Sequence, residues 1–307
     1  MQTLPSADLF RSGGRKISLA IGLFDGVHLG HQQVIRQAVA DAEQHEGQAV
    51  VITFDRHPNT IVAPERVPPL IYSQPQKLRA IEALGVEATV IIPFTSEFSA
   101  QPGDAFIRRL AEKFRPVQSV CVGSSFTFGH RRSGNVPLLQ QLGRELSFAV
   151  HGLSAVALDG EVVSSTRIRE AVRAGRLNRA AEMLGREYSL SGVIQRGDQL
   201  GRQIGFPTAN LEVTGLLTPP TGVYAMHAYL EGKRHRAVVN IGHRPTVANT
   251  TPELRVEAHL LDFTGDLYDR ELELTFVEKL REEQKFDSLD QLRAQIARDI
   301  AAALEKF

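Results

Sequence analysis

The stretch that most limits what this chain can become is Gly22-Leu23-Phe24-Asp25-Gly26-Val27-His28-Leu29-Gly30-His31. The apolar run from Ile17 to Leu23 before it reads as a buried parallel strand. After it, Val34, Ile35, Ala38, Val39 and Ala42 fall on one face of a helix. A strand-to-helix turn carrying Gly22, Gly26 and Gly30 lets a polar group approach the backbone, because glycine has no Cβ to hold it off. The helix start adds unsatisfied N–H groups and a partial positive charge, so the turn reads as an anion site. His28 and His31 are then donors aimed at the anion. Taken alone they would also suit one metal ion or plain packing, although no third ligand of ordinary spacing lies nearby.

Strand and helix patterns keep alternating through the first half. Ala49 to Phe54 reads as a strand ending in Thr53-Phe54-Asp55-Arg56-His57-Pro58, where the proline stops the ladder and leaves a polar tip. Pro75 to Leu84 reads as a helix with Gly85 as its stop, Ala88 to Phe94 as a strand and Pro102 to Phe114 as a helix. Ser119 to Val122 then reads as a strand, Pro137 to Leu142 as a short helix and Ala155 to Leu158 as a further strand. Such alternation implies right-handed crossovers and a doubly wound parallel sheet, with ligands beyond the carboxyl ends of the strands. Two later tips belong to that end. Gly123 to Gly134, with Ser125, Arg131 and Arg132, suits phosphate and ribose equally with a solvated loop. In Ser164-Ser165-Thr166-Arg167-Ile168-Arg169, a hydroxyl can cap a helix whose first turn carries two arginines. Cations there oppose the helix dipole by roughly 0.3–1 kcal/mol, which either water screens or a polyphosphate reverses. A helix from Leu177 to Leu184 closes this half.

From about Tyr188 the pattern becomes short β runs separated by glycine and proline. Gly192–Ile194, Val223–Leu230, Ala237–Ile241, Val256–Leu261 and Glu271–Val277 read as barrel strands, with Glu231-Gly232-Lys233 as a hairpin turn. Ser288 to Gln291 is a capping box opening a terminal helix whose stripe, Leu289, Leu292, Ile296, Ile300 and Leu304, reads as cover for the barrel. A glycine-rich segment, Gly197 to Gly205, leads into Pro207-Thr208-Ala209-Asn210. On a strand, Thr208 and Asn210 would face the same way and meet one Mg²⁺ or one phosphate. Glu257 is a carboxylate within an apolar strand, so it is either paired or functional.

Composition narrows the ligand class. The 35 basic and 35 acidic residues of the 307-residue chain cancel, which argues for small ligands and against nucleic acid or a membrane surface. The single cysteine, Cys121, excludes a disulfide framework and a cysteine-based zinc site, and with no leader-like or spanning segment a cytoplasmic location is expected.

The front turn together with Ser164 to Arg169 resembles the adenylyl-transferring nucleotidyltransferases. With Thr53 to Pro58 added, the first half is similar to the FAD synthetase half of the bacterial bifunctional riboflavin kinase/FAD synthetase family. The second half resembles its riboflavin kinase half through Gly197 to Leu211, Asn240 to Thr246, Val256 to Phe263 and Leu280 to Phe286. The resemblance implies a Rossmann-like nucleotidyltransferase domain over 1–186 and a riboflavin kinase-like β-barrel with its C-terminal helix over 187–307. It implies that riboflavin and ATP give FMN, and that FMN and ATP give FAD with release of pyrophosphate. His28 and His31 would hold ATP phosphates and stabilise the leaving pyrophosphate, with Gly22, Phe24, Asp25, Gly26, Gly30, Ser125, Ser164, Ser165, Thr166, Arg167 and Arg169 completing the nucleotide site. In the kinase half Gly197, Gly201, Arg202, Gly205, Pro207, Thr208 and Asn210 would bind Mg-ATP, the last Thr and Asn meeting the Mg²⁺. Glu257 would deprotonate the riboflavin 5′-hydroxyl, and Arg281 and Phe286 would lie along the flavin. Two positions depart from the family's usual pattern: Ser125 stands for an acid or its amide, and Arg56 for a proline. The alternatives are a kinase with an impaired first domain, or a non-catalytic flavin or nucleotide sensor; a weak homo-oligomer is left open.

Overall fold

The computed structural model describes residues 1–196, 201, 204–244 and 253–307. It divides into two compact units, Met1–Leu70 with Gln74–Thr166, and Ile71–Ser73 with Arg167–Phe307.

The first unit is built on a six-stranded parallel sheet: β1 (Gln2–Leu4), β2 (Ile17–Ile21), β3 (Gln48–Phe54), β4 (Ala88–Ile92) and β5 (Val117–Gly123) are joined by Ala149–Leu153, in the order β1, β4, β3, β2, β5, Ala149–Leu153. The helices between them are α1 (Leu29–Gln44), α2 (Asn59–Val62), α3 (Gln74–Glu82), α4 (Ser96–Ser99), α5 (Gly103–Lys113) and α6 (Val136–Leu146). Side chains alternate between the two faces of the sheet. Leu19, Ile21, Val50, Ile52, Val120 and Val122 pack with Phe106, Leu110 and Leu139 of α5 and α6. Ala20, Val51 and Cys121 pack with Val34, Ile35 and Ala38 of α1 and with Ile81 of α3. The winding direction reverses between β2 and β5, so the crevice outside their carboxyl ends is the place where such a sheet takes a ligand.

Several boundaries differ from the sequence expectation, among them the barrel strands Lys233–Arg244 and Glu271–Arg281, which run longer than expected. The sixth sheet strand is Ala149–Leu153; residues 155–158 instead lead into a two-residue ladder, Ala157–Leu158 with Glu161–Val162, around a turn with positive φ at Asp159 and Gly160. Helix α6 runs to Leu146, a full turn beyond Leu142, and ends where Ser147 takes the left-handed cap conformation. The edge strand β1 is too short to show a period.

Helix α7 (Ser165–Arg173), which belongs to the second unit from Arg167 on, and helix α8 (Leu177–Leu184) precede a closed antiparallel barrel. Its strands are Ser189–Gln195, Ala209–Leu211, Gly222–Leu230, Lys233–Arg244, Glu253–Leu260 and Glu271–Arg281. The second of these, three residues long, pairs with both the first and the fifth and so completes the wall. Glu231 and Gly232, both at positive φ, form the two-residue turn joining Leu230 to Lys233. The terminal helix α9 (Leu289–Leu304) is capped by Ser288, whose Oγ accepts from the Gln291 amide. Its stripe is only partly cover: Ala303 and Ile300 pack with Val223, Ala225 and Val238, while Leu289 and Leu304 are exposed.

Candidate active sites

In the first unit the sheet delivers the phosphate-like turn at the end of β2. The Gly22 amide donates to the Ile52 carbonyl (3.1 Å), and a Cβ at position 22 would lie 2.9 Å from the Phe24 ring, so only glycine lets the chain fold back here. Phe24, Gly26 and Val27 all take positive φ, and Gln32 Nε2 donates to the Val27 carbonyl (3.0 Å). His28 is the N-cap of the 16-residue α1: its Nδ1 accepts from the His31 amide (3.4 Å). A cap needs an acceptor, so this contact assigns the ring proton to Nε2 and makes that edge a donor. The His28 and His31 rings stack with centroids 3.6 Å apart, and Phe24 meets His31 edge-on. Asp25 is buried, and its carbonyl accepts from Ser165 Oγ (3.2 Å), which brings the two motifs that stand 140 residues apart together. Ser164 and Thr166 flank that serine. Ser125 is exposed on the tip after β5. Arg167 and Arg169 follow on the first turn of α7, in the second compact unit, Arg169 buried.

The tip of β3, Thr53 to Pro58, is met by Lys77, which none of the motifs named. Thr53 Oγ1 donates to the Leu23 carbonyl (3.0 Å), and Lys77 Nζ donates to Thr53 Oγ1 (3.3 Å) and the Phe54 carbonyl (2.9 Å). Burial pushes the Lys77 ammonium down to about 8, against the pull of Asp25 and Asp55. Burial raises Asp55, but hydrogen bonds from Arg56 (2.7 and 2.9 Å) and from the Phe94 amide (2.8 Å) outweigh it and hold the carboxyl below its ordinary range. That ion pair gives Arg56 a local role where the family usually has proline. Beyond the tips lies a cavity of about 690 Å³ walled by Phe54, Phe94, Phe98, Phe126 and Phe128, with His57 and Arg131 at its polar edge. Its aromatic residues are scattered over 75 positions of sequence, and no local pattern unites them.

In the second unit several of the candidate residues sit on one rung of the barrel. Val256, Ala258 and Leu260 are buried against Ile241, Val239 and Ala237, which fixes the interior face. The intervening Glu257 is therefore on the outer face, paired with Asn210 on one side and Asn240 on the other. These residues line a cavity of about 700 Å³, with Thr208, His259 and Arg281 on its wall and Leu292 and Ile296 of α9 opposite. Gly201 is tightly enclosed: a Cβ there would lie 2.4 Å from the Phe206 carbonyl oxygen and 3.2 Å from Thr208 Oγ1. His259 Nδ1 donates to the Pro207 carbonyl (2.8 Å), fixing the segment just before Thr208. Arg281 makes a paired hydrogen bond to Asp299 (2.8 and 2.7 Å), which also accepts from Gln295, while its guanidinium lies 5.9 Å from the Phe286 ring centre. Gly205 and Pro207 border the site; Gly197, Arg202 and positions 245 and 246 lie outside the described residues.

The donor set here suits a hard cation. Thr208 offers a hydroxyl and Asn210 an amide oxygen, and Mg²⁺ takes a few protein oxygens and completes its shell with water and substrate phosphate. Among the described residues no group of three His, Cys, Asp or Glu forms a closed metal cage, and no helix is long and apolar enough to cross a membrane. The resemblance covers Asn240 and His259 without giving either a role, and Asp299 carries no signal; barrel register puts Asn240 beside Glu257.

A family model described as FAD synthetase matches residues 11–167, and one described as Riboflavin kinase matches residues 184–307. The protein described as bifunctional riboflavin kinase/FMN adenylyltransferase is 37% identical in Escherichia coli (strain K12) over 290 residues, covering 94% of this chain and 92% of that one. The Pseudomonas fluorescens protein of that description is 37% identical over 303 residues (99% and 97%), and the Bacillus subtilis (strain 168) one 33% identical over 304 residues (97% and 95%). A crystal structure described as a macrolide-efflux protein from Streptococcus pneumoniae is similar over 98% of this chain and 97% of that one, with a TM-score of 0.80 and 26% identity.

Proposed function

The chain belongs to the bacterial bifunctional riboflavin kinase/FMN adenylyltransferase family, and from that membership we propose how its two reactions are divided: residues 1–186 carry the adenylyl transfer and residues 187–307 the phosphorylation. The enzyme makes FMN from riboflavin and ATP, then FAD and pyrophosphate from FMN and ATP. Riboflavin, FMN and ATP are its small-molecule partners, and a reducing cytoplasm suits the buried Cys121 thiol.

In the kinase site, Glu257 accepts the proton of the riboflavin 5′-hydroxyl as that oxygen bonds to the γ-phosphorus of ATP and the bond to the β-phosphate oxygen breaks. The observation that carries this role is the rung Asn210–Glu257–Asn240 on a cavity wall. On that rung Asn210 and Asn240 flank Glu257, and a general base supplies about 10²–10⁴ in rate. Thr208 and Asn210 would hold Mg²⁺, which when bound neutralises and orients the phosphates. Gly201, Gly205 and Pro207 shape the ATP loop, to which we also assign Gly197 and Arg202; Phe286 and the Asp299-held Arg281 border the flavin.

In the adenylyl transferase site no protein nucleophile is needed. A phosphate oxygen of FMN bonds to the α-phosphorus in line as pyrophosphate departs, so positioning and charge neutralisation carry the step. His28 and His31, at the start of α1, donate to the triphosphate; Gly22 to Gly26 and Gly30 permit its approach, and Ser125, Ser164 to Arg167 and Arg169 complete the grip. The aromatic cavity beyond β3 and β4 suits the flavin ring of FMN.

Incubation of the purified protein with riboflavin and Mg-ATP, with products separated by chromatography, should yield FMN followed by FAD. Glu257→Gln should remove most FMN formation, by about 10²-fold or more, while FAD still forms from supplied FMN. Equal loss of both activities would overturn the division into two sites.

A further inference from the structure

We propose that Lys77 is a positioning residue for adenylyl transfer: through Thr53 Oγ1 and the Phe54 carbonyl, its ammonium fixes the Leu23 carbonyl and with it the turn that receives the ATP phosphates. This rests on the reading that His28 and His31 meet the triphosphate. Lys77 is only 8% exposed and Thr53 fully buried. A buried ammonium is costly unless its hydrogen bonds are made. Here its bonded acceptors are a hydroxyl and a carbonyl, while Asp25, from the turn after β2, and Asp55, paired with Arg56 at the tip of β3, act on it at longer range.

The direction of the relay follows from proton count. Thr53 has one hydroxyl proton, which it donates to Leu23, so its lone pairs receive the lysine. Other backbone and side-chain bonds anchor Gly22 and Val27. The relay holds Leu23, immediately before the positive-φ Phe24 whose ring packs on His31. A shift of this turn would displace His28 and His31 together. Burial has already brought the Lys77 ammonium down to about 8. Above that pH the relay loses its charge-assisted donor and the turn loosens.

The test uses the full chain, with far-UV circular dichroism and thermal denaturation showing that the first unit, which carries Lys77, is folded. Lys77→Met keeps the volume and removes the charge. It should lower kcat/KM for FAD formation from supplied FMN by about 10–100-fold, leave riboflavin phosphorylation within about twofold, and abolish a loss of FAD synthesis that the parent enzyme shows above about pH 8. Thr53→Val, which breaks the relay and keeps the lysine, should lower FAD formation in the same direction, and decides the matter if Lys77→Met does not fold. Unchanged FAD synthesis in either folded variant, or the same alkaline loss persisting in Lys77→Met, would overturn the proposal. The underlying reading is tested apart, by His31→Ala: if that variant keeps full FAD synthesis, the phosphate turn itself is misassigned.

Discussion

At the scale of single residues, His28 does two things with one ring. As the helix cap its Nδ1 is occupied by the His31 amide, so the opposite nitrogen is committed to donation whatever the ligand. A residue chosen only to cap would be Ser, Asp or Asn. His31→Ala should reduce FAD formation by about 10²–10³-fold, the usual consequence of losing a donor that acts on developing charge, with riboflavin phosphorylation unchanged; steady-state rates with FMN and riboflavin in turn would show it. Lys77 also has a stability signature with a definite sign. Its ordinary value is 10.5 and its folded value about 8, so between those pH values the unfolded chain binds more protons. Fold stability therefore rises with pH across that window, by roughly 3 kcal/mol at most, while below it neither state releases the proton and the slope vanishes. Denaturant midpoints at pH 7.5 and 10 should separate in the parent and converge in Lys77→Met. The same residue thus makes the fold firmer and the phosphate turn looser as pH climbs.

At the scale of elements, the sequence told most where a period or a turn dictates backbone. The run Ile17–Leu23 and the stripe of α1 were legible because one strand buries every residue and one helix buries a face. The two-residue hairpin at Glu231 and Gly232 was legible from its turn chemistry. The stripe on α9 was misleading in part, since a helix that walls a cavity needs apolar residues as much as one that seals a core: Leu292 and Ile296 face the cavity. The place of Asn240 beside Glu257 and the aromatic cavity were beyond reach, because register between distant strands and convergence of distant loops leave no local trace. The strand carrying Glu257 also carries His259, whose Nδ1–H holds Pro207 beside Thr208. His259→Asn keeps a donor near that position, whereas His259→Phe keeps the ring against Phe206 and loses the bond. We expect the phenylalanine variant to raise KM for ATP in riboflavin phosphorylation by about tenfold, the worth of one net hydrogen bond, and the asparagine variant to recover most of it.

At the scale of the whole molecule, compactness divides the chain at a different place from the proposed division of activities. The second compact unit begins at Arg167 and includes α7 and α8, of which Ala180, Met183 and Leu184 are almost fully buried. A chain comprising 187–307 should therefore still phosphorylate riboflavin but unfold more readily than 167–307, because burial of each large apolar side chain contributes about 1.5–3 kcal/mol; thermal denaturation of the two truncated chains would measure the difference. The second unit also takes in Ile71–Ser73 from the first half. Within it Tyr72 lies under the Arg186 guanidinium, 5.0 Å from the ring centre, and its hydroxyl accepts from Nε at 3.1 Å, across 114 residues of chain. During synthesis on the ribosome that tripeptide emerges long before its arginine exists. The later unit is thus completed by a fragment translated in advance, and no single cleavage of the polypeptide can release both units whole.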